Sequence, residues 1–183
     1  MSDGYTDIHK KLVEESKQGS SKAQYKLYQL YAGAMFNTSY RMMRNREEAE
    51  DMLQESFSEA FLKLDRFRFE STFGAWLKRI VVNKCINEIK RKKANLEYTD
   101  EIAQYSTKDD DNDLPELNVD MIKEAMEHLP DGSRMIFQLY LLEGYDHREI
   151  AEILGVSESN SKSQYMRAKR RIKDILKDKI YEN

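Results

Sequence analysis

The sequence predicts an all-α protein built from two small helical domains, and three observations predict it. Apolar side chains recur at steps of three or four residues almost throughout, with no stretch of strand-like alternation and no internal repeat. Two prolines and seven glycines are all that punctuate 183 residues, so long helices are possible. A stretch poor in large apolar residues, carrying Asp109, Asp110, Asp111 and Asp113, separates two periodic segments and reads as a linker. The expected organisation is an N-terminal extension over residues 1–19, a helical domain over 20–93, an acidic linker over 94–117 and a second helical domain over 118–183. A hydrophobic content of 40% suffices for two small cores.

Each element has its own signal. One long amphipathic helix is expected from about Ser20 to Arg44, a second from about Arg46 to Leu64 and a third from about Phe73 to Lys93. In the second, Ala49, Leu53, Phe57, Ala60 and Leu64 share a face, and Asp51, Gln54, Glu55 and Ser58 point away. Beyond the linker, a helix through Val119, Ile122, Ala125 and Leu129 should stop at Pro130, and another should follow through Met135, Ile136 and Leu139. Asp146 and Glu149 have the spacing of a capping box for a short helix carrying Ile150, Ala151, Ile153 and Leu154. Gly155 supplies a left-handed turn, and Ser157 caps a last helix through Tyr165, Ala168, Ile172 and Ile175.

Composition excludes several function classes. No run approaches the ~20 apolar residues of a membrane span, and the N-terminus lacks the basic-then-apolar order of a signal peptide, so a cytoplasmic protein without stable membrane insertion is expected. The single cysteine, Cys85, sits among Val81, Val82, Ile86 and Ile89 and reads as a small buried hydrophobe. His9, His128 and His147 have no ligand spacing; His147 lies near a helix start, where a surface or capping role suffices. No nucleophile triad, paired carboxylates or phosphate-binding loop is visible, so neither an enzyme nor a cofactor is expected.

The formal net charge of −3 hides strong segregation. Residues 23–93 hold 14 Lys/Arg against 9 Asp/Glu, residues 94–120 hold 1 against 9, and residues 121–183 hold 11 of each. Seven basic residues and one acid fall within 78–93, and six basic residues and no acid within 159–173. Two basic stripes either side of an acidic connector suit two DNA contacts, although solvated helix faces would look the same by charge alone.

The C-terminal pattern of helix, glycine turn and helix is that of a helix-turn-helix, whose second helix enters the major groove. Asn160, Ser163, Gln164, Arg167 and Arg171 are expected on the face opposite Tyr165, Ala168 and Ile172. Asn and Gln can read adenine and Arg can read guanine, while Lys162, Lys169, Arg170 and Lys173 can neutralise phosphates. A helical hairpin in an unrelated protein is the competing reading.

Residues 48–57, EAEDMLQESF, closely resemble the polymerase-clamp-binding segment of sigma factors, and residues 67–77, FRFESTFGAWL, resemble the segment that follows it in that family. Arg79-Ile80-Val81-Val82-Asn83-Lys84, Leu129-Pro130, Glu143-Gly144, Glu149-Ile150-Ala151 and Leu154-Gly155-Val156-Ser157 complete the order. Over about residues 20–178 the chain resembles the extracytoplasmic-function sigma factors, group four. The resemblance implies that Asp51, Gln54, Glu55 and Ser58 bind the clamp of core RNA polymerase. It implies that Phe67, Phe69, Asn83, Lys84, Lys90 and Arg91 meet the minus-ten element of promoter DNA, Asn83 as the base-binding asparagine and the two phenylalanines supporting a flipped base. It also implies that Asn160, Lys162, Ser163, Gln164, Arg167 and Arg171 meet the minus-thirty-five element, and that an anti-sigma factor is a partner. Trp76, at helical spacing with Phe73, Leu77 and Ile80, reads as a core anchor. Phe69 stands where the family often has Gly, Asn87 and Lys90 where it commonly has Asp and Arg, and Ser161 in a normally apolar slot. The alternative is a stand-alone dimeric helix-turn-helix regulator.

Overall fold

The computed structural model describes residues 8–92 and 119–181; the expected linker, residues 94–117, lies outside them. The chain divides into two compact units, residues 1–94 and 95–183, and every described element is helical.

The first unit contains α1 (Lys10–Lys17), α2 (Ser21–Met43), α3 (Arg46–Leu62), a single 3-10 turn (Leu64–Arg66) and α4 (Phe73–Lys92). Residues 10–17, expected only as part of an extension, form a helix that packs on α2 and buries Val13 completely. Side chains define the other starts. Ser20 accepts from the Ala23 amide and Asn45 from the Glu48 amide, and the Thr72 hydroxyl accepts from the Ala75 amide at 3.1 Å. Arg44, left-handed at φ 58°, closes α2.

Helices α2, α3 and α4 pack on one another around Leu27, Met35, Leu53, Phe57, Phe73, Leu77, Val81, Cys85 and Ile86. Cys85 is buried in that core, as its neighbours suggested. Three buried serines sit inside helices, each donating its hydroxyl to the carbonyl four residues back: Ser16 to Leu12, Ser39 to Met35 and Ser56 to Met52. Their small side chains are satisfied within their own helices, so neighbouring helices can approach without an unpaired hydroxyl between them.

The second unit contains α5 (Val119–Met126), α6 (Asp131–Leu141), α7 (His147–Leu154) and α8 (Glu158–Tyr181). Pro130 precedes α6, where a missing amide costs nothing, and Arg134 pairs with Asp131 in the first turn. Ala125, Met126, Leu129, Phe137, Ala168, Ile172 and Leu176 form one core cluster joining α5, α6 and α8. Ile150 and Leu154 bring α7 onto α8.

Gly74, in the first turn of α4, lies against the Tyr31 ring of α2. A methyl group there would lie 2.7 Å from a ring carbon of Tyr31. That ring is held edge-on to Phe73 at 5.2 Å, and its hydroxyl is hydrogen-bonded to His9 at 2.7 Å. Ala gains about 1 kcal/mol over Gly in a helix interior, whereas overpacking costs about 1 to 3 kcal/mol. With Tyr31 held on two sides the second effect wins. Gly74→Ala is expected to lower stability by about 1 kcal/mol in a denaturant melt, the reverse of the usual helix substitution.

Candidate nucleic-acid and protein interfaces

Helix α3 has two distinct sides. Ala49, Met52, Leu53, Ser56, Phe57 and Ala60 are buried, and Asp51, Gln54, Glu55 and Ser58 are all exposed. Lys84 of α4 reaches across to the exposed side, its Nζ 3.2 Å from Glu55 and 3.1 Å from Glu59. The hydrogen bond to Glu59 is the main cause that raises the Lys84 pKa, with burial opposing it and Glu55 adding to it. Glu59 is held below its ordinary value mainly by its hydrogen bond to Lys63. Asn83 is exposed beside Lys84, and the two line a shallow groove with Met52, Glu55 and Arg91. At the end of α4 Arg91 pairs with Glu88, Lys92 pairs with Glu48 of α3, and Lys90 is exposed. Lys90, Arg91 and Lys92 thus lie at a helix C-terminus, where positive charge is favoured.

The loop between α3 and α4 corrects one expectation. Phe67 is only 3% exposed, packed against Trp76 at 5.2 Å and Phe73 at 6.0 Å, so it is a core anchor and cannot stack on a base. An aromatic ring in a polar loop is read as exposed from its neighbours, but here the loop folds back over the start of α4. Trp76 is half-buried and shares that cluster, in keeping with the anchor role expected of it. Phe69 is half-buried with φ 58°, the left-handed backbone that explains why glycine is the commoner choice at this place.

The helix-turn-helix is built by local bonds. The Asp146 carboxylate accepts from the Glu149 amide at 2.8 Å, and the Glu149 carboxylate accepts from the Asp146 amide at 3.0 Å, completing the capping box. Gly155 turns the chain at φ 73°, and the Ser157 hydroxyl accepts from the Asn160 amide at 3.0 Å to start α8.

The inward stripe of α8 runs through Ser161, Gln164, Ala168, Ile172 and Leu176. Gln164 is therefore a correction: it is 3% exposed and accepts a hydrogen bond from Ser133 of α6 at 2.7 Å. Two polar residues in the core stripe are tolerated because each has a partner on another helix. Ser161, wholly buried, meets His147 Nδ1 at 2.9 Å. The His147 ring also stacks on Tyr140 at 4.5 Å, and burial holds its pKa below the ordinary histidine value of 6.5. His147 thus braces α6, α7 and α8, a larger role than capping. Of the remaining positions, Lys162 and Arg171 are exposed and Asn160, Ser163 and Arg167 are half-exposed. Lys162 pairs with Glu158 at 2.6 Å.

The family described as Sigma-70 region 2 matches residues 27–95, and that described as Sigma-70, region 4 matches residues 120–172. The ECF RNA polymerase sigma factor SigW of Bacillus subtilis is 30% identical over 181 residues, covering 92% of this chain and 97% of its own. This chain is an extracytoplasmic-function sigma factor. SigM of the same organism is 29% identical over 153 residues, covering 81% of this chain and 92% of its own. The fold is that of a solved sigma factor, RpoE of Bartonella quintana in complex with the anti-sigma factor NepR, with a TM-score of 0.56, 23% identity and coverage of 84% of this chain and 96% of that one.

As a sigma factor the chain directs core RNA polymerase to promoters and initiates transcription; such proteins are initiation factors rather than enzymes. The stand-alone dimeric regulator is not favoured, because region 2 and region 4 are both present in one chain. Among the described residues no helix is long and apolar enough to cross a membrane.

The residues of this sigma factor that sequence reasoning missed share one trait: they act inside the protein. α1 has one fully buried apolar residue, too weak a periodicity to be seen, and the partners of Ser161 and Gln164 lie on other helices. Gln164→Ala is expected to cost about 1 to 3 kcal/mol of stability, since the buried Ser133 hydroxyl loses its acceptor. It should leave base preference at the upstream promoter element unchanged. Thermal melting together with binding-site selection by holoenzyme checks both halves.

Proposed function

We propose that the outward face of α3, formed by Asp51, Gln54, Glu55 and Ser58, holds this sigma factor to the clamp of core RNA polymerase. The observation that carries this reading is the division of α3 itself: its apolar face is consumed by packing on α2 and α4, while four polar side chains one turn apart are exposed. Exposed acids and amides with no share in the core are what a protein partner can use.

The same unit would meet the minus-ten element through Phe69, Asn83, Lys84, Lys90 and Arg91. Phe69 offers a half-exposed ring and Asn83 an exposed amide, and the three cations can contact phosphates. Lys84 and Arg91 are drawn off by acidic neighbours in the free protein, so DNA must compete with Glu55, Glu59 and Glu88 for them. In the second unit the minus-thirty-five element would be read by Asn160, Ser163, Arg167 and Arg171, with Lys162, Lys169, Arg170 and Lys173 supplying phosphate contacts. The Bartonella quintana relative is captured with an anti-sigma factor, which supports the same kind of partner for this chain, and a cytoplasmic location follows from work on the chromosome.

The polymerase contact is tested by Asp51→Ala combined with Glu55→Ala. Exposed substitutions away from the core change stability by less than about 0.5 kcal/mol, whereas lost interface charges weaken binding by several times that. The double variant is expected to melt near the wild-type temperature yet fail to assemble with core polymerase and fail to start transcription. Assembly at wild-type affinity, measured by gel filtration or fluorescence anisotropy, contradicts the assignment.

A further inference from the structure

Lys17, at the end of α1, lies outside both family matches, which cover residues 27–95 and 120–172. Its contacts are nevertheless with the loop between α3 and α4. The Lys17 ammonium donates to the Phe67 carbonyl oxygen at 2.5 Å and stands 5.9 Å from the Phe67 ring and 5.1 Å from the Phe69 ring. Lys10, two turns earlier, stands 5.5 Å from the same Phe69 ring.

These contacts bear on a strained place. A left-handed backbone at a residue as large as phenylalanine is costly and persists only where its surroundings over-determine it. Phe69 has two such supports: the Phe67 ring at 4.8 Å, itself fixed in the core, and the two ammonium groups of α1. A charged hydrogen bond to a carbonyl and an ammonium over a ring are together comparable with the strain they oppose. α1 is in turn fastened to α2 by its buried Val13 and by His9, whose Nδ1 meets the Tyr31 hydroxyl at 2.7 Å. The brace is therefore anchored at both ends.

We infer that Lys17 is a positioning residue for promoter recognition: it fixes the backbone at Phe67 and the ring of Phe69, so that the loop presents one shape to an unpaired base. Lys10 and Lys17 set positive charge beside that ring, and Arg66 and Arg68 of the adjoining segment are exposed; cations beside an aromatic ring suit a single strand of DNA. The inference rests on the proposal that Phe69 meets the minus-ten element.

The experiment uses full-length protein assembled with core polymerase and measures binding to single-stranded minus-ten oligonucleotides that differ at one base. Four proteins are compared: wild type, Lys17→Met, Lys17→Arg and Phe69→Ala. Lys17→Met keeps the aliphatic stem and is expected to lose about tenfold of base discrimination, the equivalent of about 1.4 kcal/mol, with a modest fall in melting temperature because the contacts that offset the strain at Phe69 are gone. Lys17→Arg is expected to recover most of it, because the donor and the cation over the ring are both retained.

If Lys17→Met keeps full discrimination while Phe69→Ala loses it, the positioning role is overturned and the loop reading stands. If both keep it, the loop does not meet the strand, and the proposed function of Phe69 falls together with the inference. If Lys17→Met melts at a lower temperature and Lys17→Arg recovers neither stability nor discrimination, Lys17 is structural only and the inference is overturned.

Discussion

In each unit one long helix must bury a stripe of side chains, and the direction of that stripe governs what the unit can present. α4 turns Phe73, Leu77, Val81, Val82, Cys85 and Ile86 inward, and α8 turns Ser161, Gln164, Ala168, Ile172 and Leu176 inward. Full burial of a large apolar side chain contributes about 1.5 to 3 kcal/mol, whereas an exposed ion pair contributes about 0 to 1 kcal/mol. The stripes therefore set the rotation of both helices. The cations and amides on the other sides contribute little to folding, so their identity is set by other demands than packing.

The charges left on the surface of the first unit are not independent of one another. Lys84 is shared between Glu55 and Glu59, and Lys92 joins Glu48 on α3 to the end of α4. Residues proposed for polymerase and residues proposed for DNA are thus in contact in the free protein. These exposed pairs are weak enough for a partner to replace, and a partner that engages Glu55 would alter the field around Lys84. In the second unit Lys162, proposed for DNA, pairs with Glu158.

Much of this architecture is legible in the sequence because its signals are local. Asp146 and Glu149 form the expected capping box, Gly155 is left-handed, and the division of α3 into Leu53 and Phe57 on one side and Asp51 and Glu55 on the other follows from helical spacing. What was not legible depends on contacts distant in sequence. Gln164 looks like a reader because glutamine is usually exposed, and only Ser133, 31 residues away, makes its burial acceptable. Phe67 looks like a loop aromatic until Trp76 and Phe73 are seen around it. α1 is held by His9 and Lys17 through partners 22 and 50 residues distant, which no short window can find.

Packing fixes the rotation of α8 and so decides which of its side chains lie on the surface proposed to meet DNA. Thiol labelling tests it directly, since the native Cys85 is buried. In holoenzyme, Ser163→Cys and Gln164→Cys proteins are treated with a thiol-specific reagent with and without promoter DNA. The thiol introduced at position 163 is expected to react in the free holoenzyme and to be protected by the promoter, and the one at 164 to be unreactive in both. Labelling at 164 as fast as at 163, with the same protection by DNA, would contradict that rotation of α8.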